Sequence, residues 1–392
     1  MQITIQLPAL LNALRVIGPA LSRTNPIRTA SCAWTATGDH VTLRATSLDW
    51  DVQYTMEAEV AVPGEAWMPA NLVRALPWGR FVQPARVRSS GREIEVRSGD
   101  IAYTLPLQEP GTATALAPAL VPCAEAPGSA LARAVLLGVS AAHLTPAAEL
   151  EGTSAGEAER EGAWLEIDRD RITVSSTDRT RIAHATTPAA ASARLRSALP
   201  VHAALALARA VGQADTAKLS RSRGDASPTL TLTAGPATVT VRALAVTPPD
   251  PARHGLEADR RSTRLRGPAD RLTAGLRAAL AVAGTDPYAT VQLRTRRAHL
   301  VFQVASDNGR AAVSVALDHA AGSDTDVALP ARALLAALAP LGGVEVTLSL
   351  DGAGASVLIA AEDGAVSYRG LLAASRKIEQ ETGSTRGTAL EA

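Results

Sequence analysis

The sequence predicts an α+β protein built from three copies of one unit, in which two helices pack on antiparallel sheets. Three observations carry this prediction: the chain length, a proline-led helix that recurs, and strand patterns that recur in the same phase. A chain of 392 residues exceeds the usual size of a single domain. Hydrophobic residues make up 46% of it and charged residues 20%, which is enough apolar material for several cores.

A short proline-led helix is predicted three times. Each copy places a proline at the first position of the helix, where the missing N–H would have no partner in any case. The prolines are about 130 residues apart, and this spacing divides the chain into thirds of ordinary domain size. The three segments run from Met68 to Leu76, from Leu199 to Leu205 and from Leu329 to Leu335.

An amphipathic helix is predicted to open each unit. In the first unit, Leu7, Leu10, Leu11 and Leu14 recur at the spacing of one helical face, which indicates a helix with one buried side. The equivalent helices are predicted from Ser129 to Ala142 and from Pro268 to Ala283.

Strands are predicted on both sides of each proline-led helix, because apolar and polar residues alternate there. Glycine-containing connections between the later strands favour hairpins. Asp168 and Asp170 flank Arg169 before one strand, a pattern that we interpret as a hairpin turn rather than as paired catalytic carboxylates. The predicted strands run from Val41 to Ser47, Arg86 to Ser89, Glu93 to Arg97, Ala102 to Leu105, Ile172 to Asp178, Leu300 to Asp307, Glu345 to Leu350 and Ala355 to Ile359.

Composition indicates where the units end. Residues 110–127 are rich in Pro, Ala, Gly and Thr, and residues 247–260 contain three prolines, as is typical of extended connections. We therefore expect units over residues 1–118, 126–248 and 252–378, a mobile acidic loop over 149–161 and a disordered tail over 379–392.

Several function classes are excluded by what the sequence lacks. The first residues do not form a secretory signal, and prolines and Arg332 interrupt the longest apolar stretch, so we expect no membrane association and a cytoplasmic protein. Cys32 and Cys123 are too few for a disulfide framework. No phosphate-binding loop, nucleophile elbow or spaced metal-ligand motif occurs. We therefore expect no catalytic residues, no metal and no cofactor.

The distribution of charge is more informative than its sum. The chain carries 39 basic and 38 acidic residues, yet the predicted helices contain many arginines and, as their one acid, Asp270. The helices sum to about +6 and the rest of the chain to about −5. Two interpretations stay open: ordinary solvated helix faces, or one basic helical surface that faces a polyanion. The arginines concerned are Arg15, Arg74, Arg133, Arg209, Arg271, Arg277 and Arg332.

Short motifs, in the same order along the chain, resemble the bacterial DNA polymerase III beta sliding clamp family. The most specific is the run from Ser176 to Ala183, which is similar to the family's A-T-D-x-x-R-L-A stretch. Leu7 to Leu14, Thr42 to Asp49 and Arg74 to Gly79 are similar to further landmarks of the family. The resemblance extends to about residue 378.

The resemblance implies the DNA clamp fold and a head-to-tail homodimeric ring of six units. Helices would line a channel through which double-stranded DNA passes without sequence readout, held by phosphate contacts. The family has no catalytic activity. It tethers DNA polymerase subunits and the clamp loader through short peptide motifs, and it works on the nucleoid.

The resemblance also implies the site residues of this chain. Arg23 matches a DNA-contacting loop and joins the helical arginines as a channel residue. The dimer interface is expected at Tyr103, Leu105, Val282 and Ala283. The pocket for partner peptides is expected to comprise Thr177, Arg179, Thr180, Arg181, Ile182, Pro249, Arg253, Leu371, Ala373, Ala374, Ser375 and Arg376.

Departures from the family pattern keep other functions open. Ala373, Ala374 and Ser375 replace larger residues, so a shallower or wider pocket with altered partner affinity is expected. The first proline-led helix is also about one turn short. One alternative is a clamp-like paralogue that acts as a protein-binding adaptor or as an inhibitor-insensitive spare clamp. An enzyme is a third class, for which the sequence offers no catalytic constellation.

Overall fold

The computed structural model describes residues 1–21, 31–46, 50–109, 119–142, 162–212, 214–223, 229–244, 256, 261–351 and 355–375, except for the side chains of Pro19 and Arg74. Within these ranges one order of elements occurs three times: a strand, a helix, five strands, a second helix and three strands. The predicted α+β class and the threefold repeat are therefore confirmed. The acidic loop and the tail predicted from composition lie outside the described residues.

The first unit begins with a strand that the sequence analysis missed, because it spans only four residues. Its opening helix buries Leu10, Ala13, Val16 and Ile17. Of the four leucines that predicted this face, Leu10 is buried, and the other three are half-buried against the same core. The elements are β1 (Gln2–Ile5), α1 (Leu7–Ile17), β2 (Ser31–Thr37), β3 (His40–Thr46), β4 (Trp50–Glu57), β5 (Glu59–Val62), β6 (Gly64–Pro69), α2 (Ala70–Ala75), β7 (Ala85–Ser90), β8 (Glu93–Ser98) and β9 (Ile101–Pro106).

The second unit starts inside the segment predicted to be a linker. Its first strand pairs with strands on both sides, and it accommodates Pro122 at a bulge, where no ladder N–H is needed. The Arg169 turn is confirmed as a hairpin, with φ of 49°. The elements are β10 (Leu120–Pro127), α3 (Gly128–Gly138), β11 (Gly162–Asp168), β12 (Arg171–Thr177), β13 (Arg181–Pro188), β14 (Ala190–Ala191), β15 (Leu195–Pro200), α4 (Val201–Val211), β16 (Thr216–Ser222), β17 (Thr229–Ala234) and β18 (Ala237–Arg242).

The third unit repeats the same order, and its opening helix buries Leu272, Leu276 and Leu280. A short 3-10 turn, Ala281–Ala283, continues that helix. The elements are β19 (Thr263–Pro268), α5 (Ala269–Leu280), β20 (Thr290–Arg296), β21 (His299–Ser306), β22 (Gly309–Ala316), β23 (His319–Ala321), β24 (Asp326–Pro330), α6 (Ala331–Leu338), β25 (Glu345–Leu350), β26 (Val357–Asp363) and β27 (Val366–Leu372).

The prolines before α2, α4 and α6 lie one position earlier than predicted. Pro69, Pro200 and Pro330 are the last residues of a strand and cap the helix that follows, with ψ of 126°, 136° and 112°. The φ of proline suits a strand end as well as a helix start. Because ψ stays extended, each proline keeps its place in the strand ladder.

Two nine-stranded sheets join the units to one another. The first junction is the antiparallel pair β4–β18, between units one and two, and the second junction is the pair β13–β27, between units two and three. Each sheet therefore crosses a unit boundary. One hydrophobic core covers the first two units, and a second core joins the third unit to α3 and β13.

The two remaining sheets end the described chain in open edges. β9 is the outer strand of the five-stranded sheet in unit one, and β22 is the outer strand of the four-stranded sheet in unit three. By position in the repeat, β9 corresponds to β18 and β27, whereas β22 corresponds to β4 and β13. The two strand types that pair at both junctions are thus each left once without a partner strand. Among the described helices, none has the length and apolar character to cross a membrane.

Candidate functional site

A pocket of about 320 Å³ lies at the second junction, where β13 meets β27. Its position follows from the strand pairing, in which Arg181 stands opposite Leu372 and Ile182 opposite Leu371. Every lining residue except Ser356 belongs to the set named from the sequence. The lining residues are Thr177, Arg179, Thr180, Arg181, Ile182, Ser356, Leu371 and Ala373.

Asp178 holds the loop that forms one wall of this pocket. Its Oδ1 accepts hydrogen bonds from the backbone N–H groups of Thr180 (3.0 Å) and Arg181 (2.9 Å) and from the Thr180 hydroxyl (2.7 Å). Its Oδ2 accepts one from Arg181 Nε at 2.7 Å. The loop also needs a left-handed residue, Arg179, with φ of 73°. One carboxylate therefore sets the shape of the wall.

The pKa of Asp178 reflects the same contacts. Burial works to raise the pKa of this carboxyl, but the hydrogen bonds from Thr180 and Arg181 and the positive charge of Arg181 outweigh it. The pKa therefore lies below its ordinary value, and the wall keeps its ion pair over the whole neutral range.

Arg181 carries a donor without a partner. The side chain is 14% exposed and lines the pocket. Its Nη1 is buried and makes no hydrogen bond within the described part of the chain. A buried unpaired donor costs about 1–3 kcal/mol of folding free energy.

Of the three small side chains predicted at the pocket floor, Ala373 is the one that lines the pocket. Ala373 is exposed, and its backbone N–H donates to the carbonyl of Thr180 at 2.8 Å. Ala374 packs against the core of the third unit, and Ser375 donates its N–H to Ala328. Neither Ala374 nor Ser375 lines the pocket. Of the other predicted pocket residues, Pro249, Arg253 and Arg376 lie outside the described residues.

Ser356 is the lining residue that the sequence analysis missed. It lies just before β26, and Arg261 donates to its hydroxyl (3.0 Å) and to its carbonyl (3.1 Å). No motif marks this serine. Only the pairing of β26 with β27 brings it beside Leu371.

The helical arginines divide into paired and unpaired groups. Arg133 forms an ion pair with Asp363, and Arg271 forms one with Asp318 at 2.8 Å. The positive charge inferred for the helices is therefore offset at these two positions by an acid on β26 and by an acid between β22 and β23.

Arg332 uses its guanidinium locally, since it donates to the carbonyls of Gly284 and Asp286. By contrast, Arg15, Arg209 and Arg277 are exposed and make no hydrogen bond or ion pair within the described ranges. These three are the free cations of the predicted channel set. Arg23 and the side chain of Arg74 are not described.

The predicted interface residues lie at the two open edges. Tyr103 and Leu105 are on β9, whereas Val282 and Ala283 form the 3-10 turn that packs on β21 and β22. The Tyr103 ring stacks on Phe81 with centroids 6.4 Å apart. Further ring contacts connect Phe81 to Trp78 and Trp34.

The short helix expected before this edge is present. α2 has six residues, against eleven in α4 and eight in α6. Trp78 closes its end, because Trp78 Nε1 donates to the carbonyl of Val73 at 2.6 Å. An aromatic ladder (Trp34, Trp78, Phe81 and Tyr103) thus occupies the region between the shortened helix and the open strand.

The chemistry of other clusters does not suggest catalysis. Within the described residues no three His, Cys, Asp or Glu side chains come together as metal ligands. Ser175 and His184 are 3.0 Å apart across β12 and β13, but Ser175 is only 6% exposed. A substrate could not reach that hydroxyl, so the pair is best explained as cross-strand packing.

Comparison with known proteins gives one consistent result. No family model matches the sequence, and no curated protein matches it. Solved structures do match the fold. The DNA polymerase III beta subunit of Thermotoga maritima aligns with a TM-score of 0.79 and 15% identity, over 96% of this chain and 99% of that chain.

Two further clamps align over the same extent. The Caulobacter crescentus beta sliding clamp has a TM-score of 0.76 and 20% identity, and the Pseudomonas aeruginosa clamp bound to griselimycin has a TM-score of 0.74 and 19% identity. Each alignment covers 96% of this chain and 99% of the other. The chain therefore has the DNA clamp fold of the bacterial beta subunits, as the resemblance implied.

Proposed function

We propose that this chain is a divergent sliding clamp. Two copies close head to tail into a ring of six units around duplex DNA, and the ring tethers DNA polymerase subunits and the clamp loader. The ring has no catalytic step of its own, and it acts on nucleoid DNA in the cytoplasm. The observation that carries the proposal is the pattern of strand edges.

The repeat itself supports closure by a second copy. Each junction within the chain pairs a last strand (β18 or β27) with the fourth strand of the preceding unit (β4 or β13). β9 and β22 are the remaining strands of these two types. Unpaired edge strands readily pair with further strands. In a head-to-tail dimer, β9 of one copy would pair with β22 of the other, as last and fourth strands do at the internal junctions.

The internal junctions also predict the register of this contact. Tyr103 corresponds to Val239, which pairs with Val52, and to Tyr368, which pairs with Ala185. Transferred to β22, these two registers place Tyr103 opposite Ala311 or opposite Val313. Both residues lie on the half-buried side of β22, so the inward faces of the two edge strands would meet.

The second-junction pocket supports the tethering role. It offers the aliphatic side chains of Ile182 and Leu371, the exposed Ala373 and the side chain of Arg181. An extended peptide with an apolar anchor and an acceptor group fits that chemistry. The small floor at Ala373 predicts weaker binding of standard clamp motifs than in a clamp with larger side chains there.

The unpaired helical arginines support contact with DNA. Arg15, Arg209 and Arg277 are free to approach phosphates, which they can neutralise without reading bases. Three free cations on separate helices suit weak, sequence-independent contacts that allow sliding. The remaining predicted channel arginines (Arg23, Arg74, Arg133, Arg271 and Arg332) stay part of the proposal, with Arg133 and Arg271 attenuated by their acidic partners.

Cross-linking tests ring closure. Tyr103→Cys is combined with Ala311→Cys or with Val313→Cys, because residues directly opposite on paired strands lie within disulfide reach. We expect one of the two combinations to form a covalent dimer efficiently. Burial raises the pKa of Cys32 to about 12 and also raises that of Cys123, so the native thiols should not compete. Ala312→Cys, which faces the other way, is the matched control.

Retention on DNA then separates the proposal from its alternative. A closed ring stays on nicked circular DNA after loading and slides off linear DNA, whereas a protein-binding adaptor is retained on neither. The six-residue α2 beside the open edge is the feature that favours the adaptor, because it shortens the helical support of that edge. A chain that stays monomeric at micromolar concentration in sedimentation would exclude the ring.

A further inference from the structure

A cleft of about 400 Å³ opens at the first junction, on the helical side of the β4–β18 pair. Arg15 of α1 and Arg209 of α4 both line it, so exposed arginines from two different units border one cavity. Asn12 and Tyr54 contribute polar groups to the same lining. A site assembled from two units in this way does not follow from any single motif in the sequence.

The charge of this cleft is not balanced. Arg15 and Arg209 are exposed, and neither makes a hydrogen bond or ion pair in the described part of the chain. Asp215 is the acidic residue among the lining residues. Two guanidinium groups against one carboxylate leave an excess positive charge, and like charges held near each other favour an anionic ligand.

At the second junction, the positions equivalent to Arg15 and Arg209 carry no charge. Counted from the start of each opening helix, Arg15 corresponds to Leu136, which is 42% exposed. Counted from the start of each proline-led helix, Arg209 corresponds to Ala339. The cation that does face the second junction, Arg133, is paired with Asp363.

The hairpin turns explain the difference. Asp363 precedes the turn between β26 and β27, and the equivalent residue before the turn between β17 and β18 is Ala234. Gly235 and Pro236, which form that turn, also line the cleft and bring no acid. The carboxylate that neutralises Arg133 at the second junction thus has no counterpart in the β17–β18 turn, and Asp215 is the one acid beside two arginines in the first-junction cleft.

We propose that the first-junction cleft is a phosphate-binding site that uses Arg15 and Arg209 together, with Asn12 as a further donor. Guanidinium groups bind phosphate oxygens through paired, charge-assisted hydrogen bonds. The phosphate belongs either to a DNA backbone or to a free phosphate compound. The DNA source rests on the proposed function, whereas the free source does not.

The first arm of the test uses inorganic phosphate alone. Binding is measured by calorimetric titration at constant ionic strength with Arg15→Gln, Arg209→Gln and the double variant, and thermal melting checks that each is folded. We expect each single variant to bind phosphate about tenfold more weakly. The double variant should lose little more, because both side chains hold one ligand. Arg277→Gln, which removes an unpaired arginine at the position of α5 that corresponds to Arg15, should bind like the wild type.

The second arm measures binding to nicked circular duplex DNA against salt concentration. If a backbone phosphate occupies the cleft, Arg15→Gln and Arg209→Gln each lower the slope of log K against log salt by up to about one, and the double variant again falls short of the sum. Loss of phosphate binding with unchanged DNA binding would identify a free phosphate compound as the ligand. That result stands even if the protein does not bind DNA.

Two results would overturn the inference. One is a double variant that binds both probes like the wild type. The other is a loss that is strictly additive and equal to that of Arg277→Gln, because that pattern describes a diffuse positive field and not a site.

Discussion

The two junctions within this chain share one arrangement of strands and helices but differ in their charged side chains. Both pair the last strand of one unit with the fourth strand of another, and both place helices beside that pair. At the second junction an ion pair joins Arg133 to Asp363, and a pocket whose wall is hydrogen-bonded to Asp178 forms at the other end of the strands. At the first junction the corresponding helices present two unpaired arginines to an open cleft. The repeated fold thus sets the same arrangement of elements at both junctions, and a few side chains decide the charge and shape of each cavity.

The largest effect is expected at the wall of the second-junction pocket. Asp178→Ala removes four hydrogen bonds and leaves the guanidinium of Arg181, which is 14% exposed, without its carboxylate. We expect a loss of roughly 2–3 kcal/mol in the free energy of unfolding and loss of peptide binding at the pocket. Chemical denaturation and a peptide titration measure the two effects. Thr180→Val, which removes one of those donors, should cost less on both counts.

The contribution of Asp178 to the free energy of unfolding should also depend on pH. Because the folded-state pKa of Asp178 is lowered, its contribution is present above the ordinary Asp pKa of about 3.9 and is lost as the pH falls through the folded-state value. The stability difference between wild type and Asp178→Ala should therefore shrink below about pH 4. An undiminished difference in acid would show that Asp178 acts through packing alone.

A middle-sized effect is expected at the pocket floor. Ala373→Met adds apolar surface beside Leu371 without disturbing the backbone hydrogen bond of Ala373 to Thr180. We expect a peptide with an apolar anchor to bind about fivefold more tightly, as measured by fluorescence anisotropy. Ala374→Met is the matched control, because Ala374 does not line the pocket. Equal gains from both variants would argue against a floor at Ala373.

The smallest effect compares the paired and unpaired arginines directly. Arg133 and Asp363 are each 29% exposed, so a double-mutant cycle with Arg133→Gln and Asp363→Asn should give a coupling of about 1 kcal/mol or less. Arg209→Gln at the first junction should leave the free energy of unfolding within about 0.5 kcal/mol of wild type. If Arg209→Gln proves as costly as Arg133→Gln, the two junctions do not differ in the way that the contacts indicate.

Much of the fold followed from short-range patterns. The helical face of Leu10 and Ile17, the hairpin at Arg169 and the three proline-led helices were all predicted, since each depends on residues close in sequence. The strand ranges predicted from alternation match β3, β7, β8, β9, β12, β21, β25 and β26. The first strand of each unit (β1, β10 and β19) is among those that were missed. β10 contains Pro122 and resembles a linker, and only its pairing with β14 and β16 makes it a strand.

The site residues also divide into those predicted from local sequence and those that only the fold brings together. Motif resemblance named the pocket wall from Thr177 to Ile182 and the opposing Leu371 and Ala373, because both segments carry recognisable local sequence. Ser356 has no motif and was missed. The sequence identified the helical arginines as a group. It did not show which of them form ion pairs, because Asp363 lies 230 residues from Arg133.

The sequence by itself determined the repeated unit, its two helices and the residue types of the pocket wall, since these depend on periodicity and on neighbours within one turn or hairpin. Only the tertiary structure decided which charges are neutralised, which strands remain open edges and which side chains share a cavity. Those properties depend on contacts between units that are far apart along the chain. The strength of an ion pair and the openness of a cleft depend on distances in space. The order of residues along the chain does not give those distances directly.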